Sequence, residues 1–140
     1  MNSLSEVIVD SREKDIEHIL NFFRQHDIKF CRKKLDIGDY STADLSIIIE
    51  RKRIGELAGN LTGKDKLRIT KEFERLLKSK SKMIVLVEGM EEDIANGKYR
   101  SKMSVNELQK RLQTWAHHYM FKIVFVKYED SGKYIFENLT

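Results

Sequence analysis

The sequence predicts an α/β fold, with a central mixed β-sheet and helices on both of its faces. Three observations carry that expectation. Short runs rich in β-branched residues recur along the chain, as buried strands require. Between them lie longer segments whose apolar residues repeat at helical spacing. The two patterns alternate through 140 residues that contain no proline, a length that suits one domain.

Val7–Asp10 (VIVD) is the first strand. Ile16, Ile19, Leu20 and Phe23 then mark one face of a helix that should end near His26. Ile28–Leu35 (IKFCRKKL) mixes apolar and basic residues and reads as a half-exposed strand. Asp36–Asp44 is rich in turn residues, and Leu45–Ile49 is a buried strand, so these two strands are expected to form a hairpin. A helix begins near Arg53, with Ile54, Leu57, Ala58 and Leu61 on one face. Its glycines, Gly55, Gly59 and Gly63, form a bare stripe that suggests close packing. Leu67–Lys80 is amphipathic, with Ile69, Phe73, Leu76 and Leu77 on its apolar side. Met83–Glu88 is a strand, and Glu91–Ser101 a polar loop. Ser104 and Glu107 form a capping-box pattern that opens a helix carrying Val105, Leu108, Leu112, Trp115 and Tyr119. Lys122–Lys127 is the last strand and Ser131–Leu139 the closing helix.

Composition narrows the function. No apolar run approaches the ~20 residues of a membrane helix, and the N-terminus lacks the pattern of a secretory signal. The single cysteine, Cys31, excludes an intrachain disulfide and suits a reducing cytoplasm; it reads as packing. The net charge of +4 is concentrated: Lys64–Lys82 carries eight basic residues against three acidic ones. Within it, Arg68, Lys71, Arg75 and Lys78 lie on the side opposite the apolar face, a candidate track for a phosphate backbone. A solvated face is the alternative reading. Lys98, Arg100 and Lys102 form a second basic cluster. His117 and His118 are adjacent, diverge on a helix, and read as surface.

The stretch SIIIERK, Ser46–Lys52, runs an apolar strand straight into charge. Alternation along a strand points Glu50 and Lys52 to one face and Arg51 to the other. A carboxylate can hold a hard cation, and a nearby ammonium can orient a water or meet an oxyanion. Phosphodiester hydrolysis needs both. Asp39, in GDY across the expected hairpin, could reach the same cation. Asp10 and Glu13 lie at the end of the first strand, where open α/β sheets place their sites. Asp10, Glu13, Asp39 and Glu50, with Arg12 and Lys52, would form one cluster. Alternatively, Glu50–Lys52 is only the exit from a strand and Asp39 only a turn residue.

In order, VDSRE (Val9–Glu13), GDY (Gly38–Tyr40) and ERKRIGE (Glu50–Glu56) resemble the motifs of the XPF-type structure-specific endonucleases. The resemblance extends over essentially the whole chain, and covers their nuclease domain only. It implies a restriction-endonuclease-like fold and Mg²⁺- or Mn²⁺-dependent cleavage of branched, flapped or forked DNA, as in repair and recombination. By resemblance, Asp39 and Glu50 are metal carboxylates with Asp10 close by. Lys52 handles the attacking water or the phosphate charge, and Arg12, Glu13 and Arg51 support the site. Arg68 and Arg75 resemble basic positions of the following helix. The family signature closes on an aspartate where this chain has Glu56, which leaves the role of Glu56 open. A single nuclease domain over 1–140, without a helix-hairpin-helix module, is the expectation. Junction preference would then come from this domain, a partner, or a homodimer through the Trp115/Tyr119 helix and the final strand. A small cytoplasmic protein of a bacterium, archaeon or phage is the expectation. A non-catalytic DNA-binding paralogue, a Holliday-junction resolvase or restriction-type nuclease, and a protein-interaction domain with surface charge are the alternatives. Retention of Asp39, Glu50 and Lys52 argues against the inactive paralogue.

Overall fold

The structure is a computed structural model. It describes residues 6–61, 63–97 and 103–140, with the backbone alone at 58 and 63–65. Its elements are β1 (Val7–Asp10), α1 (Glu17–Gln25), β2 (Phe30–Lys33), β3 (Tyr40–Ser41) and β4 (Ile47–Arg53). They continue with α2 (Ile54–Asn60), α3 (Gly63–Ser79), β5 (Lys82–Glu88), α4 (Glu91–Ala95), α5 (Val105–Tyr119), β6 (Lys122–Val126) and α6 (Ser131–Leu139). The strands form one six-stranded sheet in the order β2-β1-β3-β4-β5-β6. It is mixed: β3 pairs antiparallel with both β1 and β4, and every other pair is parallel.

Two apolar cores flank the sheet. On one face, Phe73, Leu76, Leu108 and Leu112 from α3 and α5 pack on Ile48, Val85 and Val87. Trp115 meets Phe73 edge-on at 5.4 Å between ring centres, and Tyr119 and Phe121 lie against the same ring. On the other face, Ile19 and Phe23 of α1 and Ile135 of α6 cover Val7, Val9, Tyr40, Ile49 and Leu86. Alternation in β4 therefore sends Ile48 to the first core and Ile49 to the second. The closing helix comes close to α1: a Cβ on Gly132 would stand 2.7 Å from Phe22 Cβ.

The expected hairpin is not the observed one. The strand around Phe30–Lys33 lies at the sheet edge, parallel to β1. The partner of β4 is β3, two buried residues inside the turn-rich segment. Turn composition concealed so short a strand. Two further expectations change. The polar loop after β5 begins with the short helix α4. The glycine stripe of α2 is not a packing surface, since a Cβ on Gly55 or Gly59 would meet nothing within 4 Å. Among the described residues, no helix is long and apolar enough to cross a membrane.

Candidate active site

The strand β4 does not end at its charges. It pairs with β5 from Ile47↔Lys82 through to Arg53↔Glu88, so Glu50, Arg51 and Lys52 are fixed within the sheet. This rules out the frayed-exit reading. Glu50 is 6% exposed and Lys52 8%. As alternation requires, both face α3 and α5, and Lys52 Nζ lies 3.3 Å from Glu50 Oε2. Lys52 lines a small cavity together with Leu57, Phe73, Leu112 and the buried Asn60.

Asp39 reaches Glu50 because of Gly38. Gly38 has φ +79°, and a Cβ there would stand 2.1 Å from Ile48 Cγ2. Only glycine fits this close, left-handed turn. The turn sets the Asp39 backbone against β1 and β4: Asp10 N donates to Asp39 O at 2.8 Å, and Asp39 N donates to Ile49 O at 2.9 Å. Extending the register by one residue gives a row of Asp10, Asp39 and Glu50 across three strands. Asp39 Oδ2 accepts from Arg51 N at 2.8 Å.

A cleft of about 360 Å³ lies over this row. Asp10, Arg12, Glu13, Asp39 and Glu50 line it from the sheet side, and Arg68, Glu72 and Arg75 from α3. The acidic cluster expected from the sequence does converge. Its members differ in state. Burial pushes Asp39 well above the usual carboxylate range, and the charges of Glu50 and Glu13 add to this; Arg51 N–H and Lys52 only partly offset it. Burial also pushes Glu50 up, to about 7, with Glu72 adding and Lys52 opposing. Asp10 is the opposite case. Burial would raise its pKa, but Arg12 and the Leu35 backbone N–H hold it below the ordinary value. Arg12 Nε donates to Asp10 Oδ2 at 3.0 Å and Leu35 N to Oδ1 at 2.8 Å.

Arg51 points to the other face, into a buried polar network. It donates to Glu13 Oε2 at 2.9 Å, to Glu88 Oε1, and to Lys14 O at 3.0 Å. Tyr40 OH donates to Glu13 Oε2 at 2.8 Å. Glu88 Oε2 accepts from Ser131 Oγ at 2.7 Å and lies 2.6 Å from His18 Nε2. The His18 ring stacks on Tyr128 at 3.7 Å. Burial would raise Glu88, but Ser131, His18 and Arg51 lower it, so it stays charged. This network braces β4 from behind. Sequence reasoning missed Glu88, although it closes the apolar run of β5 in charge just as Glu50 closes that of β4. It also missed Glu72, which shares a helix face with Arg68 and Arg75 and accepts from Gly38 N at 3.2 Å.

Other expected residues separate. Glu56 does not enter the cleft: it is exposed, and its Oε1 accepts from Arg53 N at 3.1 Å, closing the start of α2. The helix begins too early for Glu56 to face the row. Lys71 and Lys78 are exposed on α3 but do not line the cleft that Arg68 and Arg75 line. Lys98, Arg100 and Lys102 lie outside the described residues. Trp115 and Tyr119 turn into their own core, and among the described residues the outer edge of β6 pairs with no strand.

Comparison with known proteins places this geometry. The model of the ERCC4 domain matches residues 9–137, which span every motif above. The chain belongs to the ERCC4 domain family. Its fold matches XPF from Aeropyrum pernix with a TM-score of 0.74 at 23% identity. The same protein, in a structure titled as a complex with DNA, matches with a TM-score of 0.75 at 21% identity. Each match covers 96% of this chain and 62% of the other, so the chain spans under two thirds of that protein. No curated protein matches the chain in sequence. The XPF-type, restriction-endonuclease-like fold of this ERCC4 domain follows from these matches.

Within this ERCC4 domain, Asp39 and Glu50 could hold a small hard dication. Both carboxylates are raised chiefly by burial, and carboxylates in that state gain most from a positive ion beside them. Among the described residues, no three His, Cys, Asp or Glu side chains are gathered closely enough to hold a metal. Asp10 is thus not a third ligand in this geometry, since Arg12 and Leu35 N occupy its oxygens.

Proposed function

We propose that this ERCC4 domain is a metal-dependent DNA endonuclease that hydrolyses phosphodiesters in branched, flapped or forked DNA, in repair or recombination. The observation that carries this reading is half-buried Asp39 and buried Glu50 at the floor of a cleft that Arg68 and Arg75 overhang, with Lys52, outside the cleft lining, 3.3 Å from Glu50. Carboxylates alone would repel DNA; arginines above them would draw a phosphate down onto them.

Asp39 and Glu50 would hold Mg²⁺ or Mn²⁺ through oxygen. That ion, when bound, supplies the positive charge that acidifies a water and meets the developing charge on phosphorus. Lys52 Nζ, 3.3 Å from Glu50 Oε2, orients the attacking water or donates to a non-bridging phosphate oxygen. Water adds to phosphorus as the P–O bond to the leaving strand breaks; one of its protons ends on the leaving oxygen and the other goes to the solvent side of the cleft. Arg68 and Arg75 seat the backbone, and Arg12 at the rim can meet a neighbouring phosphate. The XPF match in complex with DNA supports a DNA substrate for this chain. Self-association through the open edge of β6 and the adjoining α5 is part of this proposal, as is action inside a cell.

The test is cleavage of labelled duplex, single strand, 3′ flap, 5′ flap, fork and four-way junction, with Mg²⁺, Mn²⁺ or EDTA. Branched substrates should be cut with metal, and Asp39→Ala, Glu50→Ala and Lys52→Ala should each abolish the cut while folding survives. Substantial cutting by Glu50→Ala would sink the site assignment. A Holliday-junction resolvase or restriction-type enzyme would declare itself in the substrate profile.

A further inference from the structure

A second groove, of about 470 Å³, lies beside the cleft, and Asp36 lines both. Lys33 and Lys34 stand on its rim, and its floor is apolar: Leu35, Ile37, Leu45 and Ile48. Leu45 is 47% exposed there, at φ +63°. Neither lysine is in an ion pair among the described residues, and both are exposed. Lys33 is the register partner of Asp10 in β2, so it extends the row of Asp10, Asp39 and Glu50 by one strand on the same face.

We propose that this groove is a nucleic-acid subsite for an unpaired strand leaving the cleft, with phosphates on Lys33 and Lys34 and bases against Leu35, Ile37 and Leu45. The inference rests on the DNA reading of the cleft. Three observations carry it. The groove and the cleft share Asp36, so one strand leaving the cleft can reach the groove. Its rim is positive and unpaired where a polyanion would pass. Its apolar floor suits base faces, which a duplex hides in its own stack and a single strand presents. Distance sets the arm length. Three strand spacings of ~4.8 Å place Lys33 about 14 Å from Glu50, about four nucleotides of stacked strand at ~3.4 Å each.

The test is binding of forked oligonucleotides with single-stranded arms of graded length, by fluorescence anisotropy in EDTA. Affinity should rise with arm length and level off near four to six nucleotides, by about tenfold in all. Lys33→Ala with Lys34→Ala should remove that rise and lower the salt slope of arm binding by about 1.4, two phosphates at ~0.7 each. Ala43→Glu, which adds a negative charge to the groove wall and keeps both lysines, should do the same to affinity. Lys133→Ala, on α6 at the far face, should retain the full dependence. Indifference of the wild-type protein to arm length, or an undiminished rise in the double variant, would overturn the proposal. Because nothing is cut in EDTA, the outcomes separate. A protein that cleaves nothing yet senses arm length loses the endonuclease reading and keeps the groove. One that cleaves but ignores arm length does the reverse.

Discussion

Replacing Glu50 by Gln should stabilise the metal-free protein at pH 8 while removing its response to Mg²⁺. The side chain is 6% exposed, and its folded pKa is pushed from 4.5 up to about 7. The folded state therefore retains a proton that the unfolded chain has already lost, so stability falls as pH rises from about 4.5 to about 7 and is flat above. At about 1.4 kcal/mol per unit, that shift is worth at most ~3 kcal/mol at pH 8. Glutamine carries no charge to desolvate, yet its carbonyl can still accept from Lys52. Losing the ionic partner of Lys52 takes back part of the gain, leaving roughly 1–2 kcal/mol. For a chain of this size that is a rise of about 3–7 °C in Tm. The assay is thermal unfolding of both proteins in EDTA from pH 5 to 8, then with Mg²⁺ added at pH 8. The difference should be small at pH 5 and largest at pH 8. Mg²⁺ should raise the Tm of the wild-type protein and leave Glu50→Gln nearly unmoved. A variant less stable than wild type at pH 8, or a difference that ignores pH, would refute the argument from burial.

Lys52→Met keeps the apolar stem and removes the ammonium; cleavage should fall at least ~100-fold with Tm little changed. Arg68→Ala with Arg75→Ala should weaken duplex binding and lower its salt slope by about 1.8, two phosphates at ~0.9 each, whereas Lys71→Ala with Lys78→Ala should do less, because those side chains lie off the cleft. An equal effect from both pairs would make the whole helix, not its cleft face, the DNA track. Arg51→Met leaves Glu13 and Glu88 buried without their shared cation and should cost about 3–5 kcal/mol in denaturant unfolding. Phe73→Ala empties the centre of the Trp115, Tyr119 and Phe121 cluster and should cost about 3–5 kcal/mol by the same measurement.

The legible parts of this molecule were those where one pattern decides one feature. The apolar runs at Val7, Met83 and Lys122 became strands β1, β5 and β6, and the helical spacings of Ile16–Phe23 and Val105–Tyr119 became α1 and α5. Alternation alone put Glu50 and Lys52 on one face and Arg51 on the other. What sequence did not yield depends on long-range placement. Tyr40–Ser41 is too short to show a period, so its insertion between β1 and β4 could not be anticipated, and that insertion moved Ile28–Leu35 to the edge. Asp10 and Asp39 are both strand-end aspartates in family motifs. Only the fold reveals that one is held by Arg12 while the other faces Glu50. Glu56 matched the motif's charge, but the start of α2 commits it to Arg53 N.

The two faces of β4 divide the work between them. On the side of α3, Asp39 and Glu50 stand in one row across the strands, each with its pKa raised chiefly by burial, an arrangement that needs a rigid support. That support comes from the opposite face. Arg51 is fixed by Glu13 and Glu88, and Glu88 is tied through Ser131 to α6 and through His18 to α1. The same Arg51 donates its backbone N–H to Asp39, so the residue that anchors the rear of the strand also aims one of the two front carboxylates. A loosened network should therefore weaken the response to Mg²⁺ before it unfolds the chain. Glu88→Gln keeps the volume and most hydrogen bonds but removes one charge. It should lower the Mg²⁺-induced rise in Tm more than it lowers Tm in EDTA. If the two fell together, the network would be serving stability alone, and the geometry of Asp39 would have to be set by Gly38 and the β1 pairing without help from behind.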